Sequence, residues 1–264
     1  MTEETWISPD QARSALKSGK GQGVRIAILD SGVESSHPAL DGIPLLDDLI
    51  IQSRGGEINI KEGCGEDVFG HGTAVAEIIH RHAPEAEIGS FRVLGHFKES
   101  RAAVIREGVR AAALRGYHII HCSFGAPARA EDTAIYKGWL DALYLRGLHV
   151  VAAGSNNGFH ISEWPAHFPT AISVGTSAND DNSLRKNLTS LVEFSINGRE
   201  QSAAWIGGSR KEVFGSSFAA PRVTAMLAQI LSTYPNLHPL HAKSLLRHIA
   251  LPPLEKSAVG KRSE

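Results

Sequence analysis

Val24-Arg25-Ile26-Ala27-Ile28-Leu29-Asp30-Ser31-Gly32 is the stretch that decides the fold. Its apolar run is short enough for a strand and nearly continuous, the pattern of a strand buried on both faces. Asp30-Ser31-Gly32 then ends the run with turn residues and leaves a carboxylate at the strand's carboxyl end. Runs of the same kind recur at residues 88–94, 117–123 and 149–153, and a fifth is expected at 171–174. Helical patterns lie between them. Residues 99–114 set Ala103, Val104, Ala111 and Leu114 among arginines and glutamates, and residues 132–145 do the same with Ile135, Trp139, Ala142 and Leu143. Strands alternating with helices predict an α/β fold, a doubly wound and mostly parallel sheet with helices on both faces. The site of such a sheet lies beyond the carboxyl ends of its strands, where Asp30, Ser123 and the Gly154-Ser155-Asn156 corner all stand. Two helices, at residues 217–231 and 239–249, are expected after the last strand.

Composition narrows the function classes. The chain has 264 residues, and Lys plus Arg (27) nearly balances Asp plus Glu (28). No basic field points to nucleic acid, and no lysine-rich block points to a membrane surface. No apolar run approaches the ~18 residues that span a bilayer. The first residues show no apolar core of a secretory signal, since the stretch to Lys20 is polar and broken by Pro9. Cys64 and Cys122 are too few for a disulfide framework, so two free thiols and a cytoplasmic location are expected. The chain divides into an N-terminal segment (1–23), one catalytic domain (24–251) and a polar, loose tail (252–264).

Three short motifs carry the chemistry. Amide hydrolysis by serine needs a hydroxyl, a base to take its proton, a carboxylate to orient that base, and donors for the oxyanion. Asp30 ends the first strand. His71 stands in Gly70-His71-Gly72-Thr73 and opens an apolar helix. Ser217 stands in Gly215-Ser216-Ser217-Phe218-Ala219-Ala220-Pro221 and opens another. Small neighbours let a substrate backbone approach, and a first-turn serine has free helix amides beside it. Blander readings compete: Asp30 or Ser217 as helix caps, and Cys122 as a small buried hydrophobe. His37 reads as a structural loop residue. His80 and His82 are two apart, which on a helix points them away from each other, and His238 with His241 lacks the further ligands that a zinc site needs, so no metal and no cofactor are expected. Residues 179–182 (Asn-Asp-Asp-Asn) read as a turn before a cation site.

From Val24 to Ile249 the chain resembles the subtilisin-like serine proteases. Asp30-Ser31-Gly32-Val33 with His37-Pro38, Asp67-Val68-Phe69-Gly70-His71-Gly72-Thr73, and Gly215 to Pro221 are similar to that family's aspartate, histidine and serine motifs, in the family's order. The resemblance implies a triad of Asp30, His71 and Ser217. Val150 to Gly158 is similar to the family's oxyanion strand, which makes Asn156 the side-chain donor. Ser155 stands where the family usually has glycine, so Asn157 stays open as a competitor. Ser123, Phe124 and Gly125 resemble the edge segment that pairs with an extended substrate, and Ala153 and Gly154 join them as substrate-binding residues. Glu163, just before Trp164-Pro165, matches the base of the pocket for the side chain preceding the cut; the alternative is a surface residue turned to solvent.

There are departures. The histidine helix continues Ala74-Val75-Ala76-Glu77 where the family often has His-Val-Ala-Gly, and Ser216 replaces the usual threonine. The calcium-binding loop that many relatives insert in this helix is not expected here. The function implied is a serine endopeptidase acting on peptide or protein substrates. Compact size, the expected location and the lack of a separate pro-domain before Asp30 lean toward a dedicated processing protease. The alternative from another class is a catalytically silent module that holds a peptide in the same cleft.

Overall fold

The computed structural model describes residues 6–253 apart from 41, 159, 178–180 and 189. Its helices are α1 (Pro9–Ser18), α2 (His71–His82), α3 (Ala102–Leu114), α4 (Ala130–Leu145), α5 (Ser216–Thr233) and α6 (Pro239–Ile249). Its strands are β1 (Arg25–Asp30), β2 (Asp48–Arg54), β3 (Glu57–Glu62), β4 (Glu87–Arg92), β5 (Ile119–Cys122), β6 (Ala126–Pro127), β7 (His149–Ala153), β8 (Glu163–Trp164), β9 (Ile172–Ser177), β10 (Arg185–Lys186), β11 (Phe194–Asn197), β12 (Arg199–Trp205) and β13 (Ser209–Phe214). Among the described residues one large sheet runs β10-β11-β9-β7-β5-β1-β4-β2-β3. Its strands from β11 to β2 are parallel to their neighbours, and only the outer pairs β2–β3 and β10–β11 are antiparallel. This is the doubly wound α/β architecture read from the sequence.

The decisive run explains the layering. β1 sits in the middle of the sheet and alternates its side chains between two cores. Ile26 and Ile28 pack with residues of α1, α2, α5 and α6 on one face. Ala27 and Leu29 pack with residues of α3 and α4 on the other. The five apolar runs are β1, β4, β5, β7 and β9, and the five expected helices are α2, which His71 opens, and α3 to α6, with ends shifted by a few residues.

Several elements were not expected. Pro9 does not break the N-terminal segment but opens α1, at the first helical position where a missing N–H costs nothing. Ser8 caps that helix: the Gln11 amide donates to Ser8 Oγ at 3.2 Å and the Ser8 amide to Gln11 Oε1 at 2.7 Å. Ala12 and Ala15 then join the core beneath α5 and α6. The β2–β3 and β12–β13 hairpins were also missed; β3 and β13 are largely exposed, and the alternation in β3 is confined to Ile58 and Ile60. No helix among the described residues is long and apolar enough to cross a membrane. Of the tail expected from 252, residues 254–264 lie outside the described residues, as do two of the four in the 179–182 cluster.

Candidate active site

Asp30 stands at the carboxyl end of β1, 1% exposed. His71 opens α2, and its Nδ1 lies 2.9 Å from both Asp30 oxygens. The Ser31 amide donates to Asp30 Oδ1 at 2.7 Å, which fixes the carboxylate from behind. A carboxylate held this way keeps the imidazole proton on Nδ1 and leaves Nε2 as the basic nitrogen. Gly72 permits the approach, since a Cβ there would strike the Gly32 carbonyl. Asp67, a motif residue given no role from sequence, holds the whole turn. Its buried carboxylate accepts from Ser31 Oγ, the amides of Phe69, Gly70 and Thr73, and Thr73 Oγ1, all within 2.7–2.9 Å.

Ser217 is the second residue of α5, and Gly215 precedes the helix at φ 146°, a conformation that favours glycine. A side chain at Gly215 would also crowd Asn156. The Ser216 amide donates to Asn156 Oδ1 at 2.8 Å, so the Asn156 side-chain amide is left to face the cleft. Asn157 makes a backbone contact to Ser155 Oγ instead. Ser216, the replacement for threonine, donates through Oγ to the Gly154 carbonyl at 2.6 Å and ties α5 to the end of β7. Glu77, the other departure, accepts from the Ala204 amide and from Arg210, both at 2.6 Å, and so anchors the β12–β13 hairpin on α2. α2 runs uninterrupted from His71 to His82.

Ser217 Oγ donates to the Ser123 carbonyl at 3.0 Å. His71 sets its ring 5.2 Å from that of Phe218, the residue that follows Ser217. Behind Ser217 runs a chain of hydrogen bonds that sequence reading missed. His121 on β5 is fully buried, with Nδ1 2.7 Å from Thr224 Oγ1 and Nε2 2.6 Å from Ser123 Oγ. Ser123 Oγ donates to the Ser217 carbonyl at 2.8 Å. Since that hydroxyl has one proton, His121 donates to it from Nε2, and Thr224 donates to Nδ1. Burial, with His71 nearby, lowers the His121 pKa to about 3, which matches this neutral tautomer. A lone polar residue in a buried strand was the signal available, because such a group must find partners.

A cavity of about 390 Å³ opens beside the serine, and its wall includes Ser123, Phe124, Gly125, Ala153, Gly154, Asn156, Glu163 and Ser217. All the residues singled out as substrate-binding thus meet on one cleft with Asn156 and Ser217. Glu163 faces this cleft and is half-buried, with its carboxylate against Gly125. The other readings divide plainly. His37 is structural: Ala39 donates to its Nδ1, and its Nε2 lies 2.9 Å from the Ser209 carbonyl. His238 caps α6, and His241 stacks on Trp6. Cys122 is buried and Cys64 exposed, both free.

Fold and site together define the class of serine peptidases built on a parallel sheet. The chain belongs to the subtilase family, the subtilisin-type serine endopeptidases, whose sequence model matches residues 21–261. It is 28% identical over 258 residues to Subtilisin Savinase of Lederbergia lenta, covering 92% of this chain and 90% of that protein. It is equally identical, at 28% over 235 residues, to Thermitase of Thermoactinomyces vulgaris, covering 84% and 80%. The match to M-protease of Shouchella clausii, also at 28%, spans 63% of that longer protein. A crystal structure of a cold adapted subtilisin-like serine proteinase shares the fold, with a TM-score of 0.72 at 24% identity over 88% of this chain and 83% of that one.

Proposed function

We propose that Asp30, His71 and Ser217 form the triad of an endopeptidase that cuts peptide or protein chains. His71 Nε2 takes the Ser217 proton as Oγ attacks the peptide carbonyl carbon, and Asp30 stabilises the imidazolium that forms. The Asn156 side-chain amide and the Ser217 backbone amide receive the oxyanion. His71 then protonates the leaving amine, and water hydrolyses the acyl-enzyme by the same route. For attack, the Ser217 hydroxyl turns from the Ser123 carbonyl toward His71; catalytic hydrogen bonds often tighten only once substrate binds. The observation that carries this reading is the buried Asp30–His71 pair at 2.9 Å, whose imidazole packs against Phe218, the neighbour of a first-turn serine.

The finer reading is a dedicated processing protease working in the cytoplasm, where the exposed Cys64 thiol stays reduced. Incubation of the purified protein with an unfolded protein substrate tests both levels. Internal cuts by the wild type that Ser217→Ala abolishes, with unchanged circular dichroism, support the triad. A few discrete fragments support processing, whereas general digestion opposes it. No cutting by either protein favours the silent peptide-binding module.

A further inference from the structure

Glu163 is an unusual group to place on the wall of this cleft. β8 carries it, and β8 pairs with β6 so that Glu163 lies opposite Pro127, directly beyond the Ser123–Gly125 wall. Its side chain points inward over Gly125, where a Cβ would strike the carboxylate. Burial pushes its carboxyl above the usual range, and a side-chain hydrogen bond with Ser155 pulls the other way. No lysine or arginine contributes to that balance among the described residues.

The neighbouring titratable groups leave the carboxylate without a cation. His167 accepts the Glu163 amide on Nδ1 at 3.0 Å, and burial lowers its pKa, so its ring stays neutral there. Lys98 also lines the cavity, but its ammonium lies over the Phe69 ring, 5.2 Å from the centroid. A half-buried carboxylate without a cation is costly in the empty protein. A cation entering the cleft offsets that cost, and a guanidinium does so with paired hydrogen bonds.

We infer that Glu163 is a specificity-determining residue that selects substrates with arginine or lysine at the position preceding the cut. The inference rests on the proposed peptidase reading of the same cleft. The floor carboxylate receives the basic head group, while the aliphatic stem lies between the Ser123–Gly125 and Ala153–Asn156 walls. A half-buried charge pair falls between exposed pairs and fully buried ones in strength, so a preference of about tenfold or more is expected.

The test uses fluorogenic peptides that differ only at the residue before the cut: arginine, lysine, leucine or phenylalanine. The wild type is expected to give the higher kcat/KM on the basic peptides. In Glu163→Gln the ratio of basic to apolar kcat/KM should fall at least about tenfold. Ser155→Gly should lower it in the same direction by less, which keeps the inference testable if Glu163→Gln folds poorly. Binding of p-aminobenzamidine, followed by its fluorescence, reads the pocket without turnover and should weaken in both variants. Unchanged ratios and unchanged amidine affinity in both variants would overturn the inference. Amidine binding that depends on Glu163 in a wild type that cleaves no peptide would uphold the inference and overturn the catalytic reading.

Discussion

The two ends of the cleft are built in opposite ways. At the nucleophile end Asp30, His71, Asp67, His121 and Ser123 are all buried, and each has its protein partner in place. At the floor Glu163 is half-buried, and among the described residues its charge is offset by a neutral hydroxyl and by no cation. In the first arrangement the orienting partners are in place before substrate arrives, as preorganised catalysis requires, and the Ser217 hydroxyl alone has to turn toward His71. The second is completed by a ligand, as selection among ligands requires. Chemistry and choice of substrate should therefore separate under mutation.

The largest effects belong to the complete end. Ser217→Ala and His71→Ala should each lower kcat by about 10⁶-fold, the size known for subtilisin, with the double variant little worse. Additive losses, or a mild single variant, would break the idea that this end works as a unit. Next comes Asn156→Ala, expected to cut kcat by about 10²–10³-fold with KM little changed, again on the scale of subtilisin. Asn157→Ala should be mild, because the contact to the Ser216 amide that orients an oxyanion donor is made by Asn156. The reverse ranking in steady-state kinetics would move the donor one residue along.

His121 sharpens the comparison, since it supports the nucleophile without touching substrate. His121→Ala leaves the Ser123 and Thr224 hydroxyls short of a partner and should cost about 1–3 kcal/mol of stability. As a positioning residue it should lower kcat more than it raises KM, and His121→Asn should restore part of the loss. Its pH signature follows from its depressed pKa. The unfolded chain binds a proton below about 6.5 that the folded chain refuses until about 3. Stability from this group is thus present above pH 6.5 and is lost as pH falls toward 3. Fully buried His149, lowered to about 4, acts in the same direction. Urea midpoints should fall between pH 6.5 and 4, and the slope should be shallower in His121→Asn. An identical slope would remove His121 from the account.

The smallest expected effect is that of chelation. α2 runs without interruption and β4 follows after a short turn, so Tm and activity should be unchanged by EDTA. A large fall in Tm that calcium reverses would show a metal site elsewhere.

How far the sequence carried the reading depended on burial. β1, β4, β5, β7 and β9 were legible because strands covered on both faces must be apolar throughout. β13 was not, because a strand with mostly exposed side chains has little pattern to show, and the alternation in β3 stops at two residues, Ile58 and Ile60. Pro9 misled because a helix breaker inside a helix is a helix starter at its first position. The site residues were legible in the motifs around Asp30, His71 and Ser217, where small residues mark close approaches. Their support was less so. His121 reads as a break in an apolar run, and its partners Thr224 and Ser123 come from distant segments that only the fold brings together. The loop to Glu163 left its direction open until the β6–β8 pairing fixed it.

The claim at the centre is that Ser217 is an activated nucleophile, and a fluorophosphonate reagent tests it most directly. Such reagents bond quickly only to a serine with a working base beside it. The purified protein is treated with the reagent, digested, and mapped by mass spectrometry. The account predicts one adduct, on Ser217, absent in Ser217→Ala and formed far more slowly in His71→Ala. A wild-type protein that takes up no label, or takes it on another residue, would contradict it.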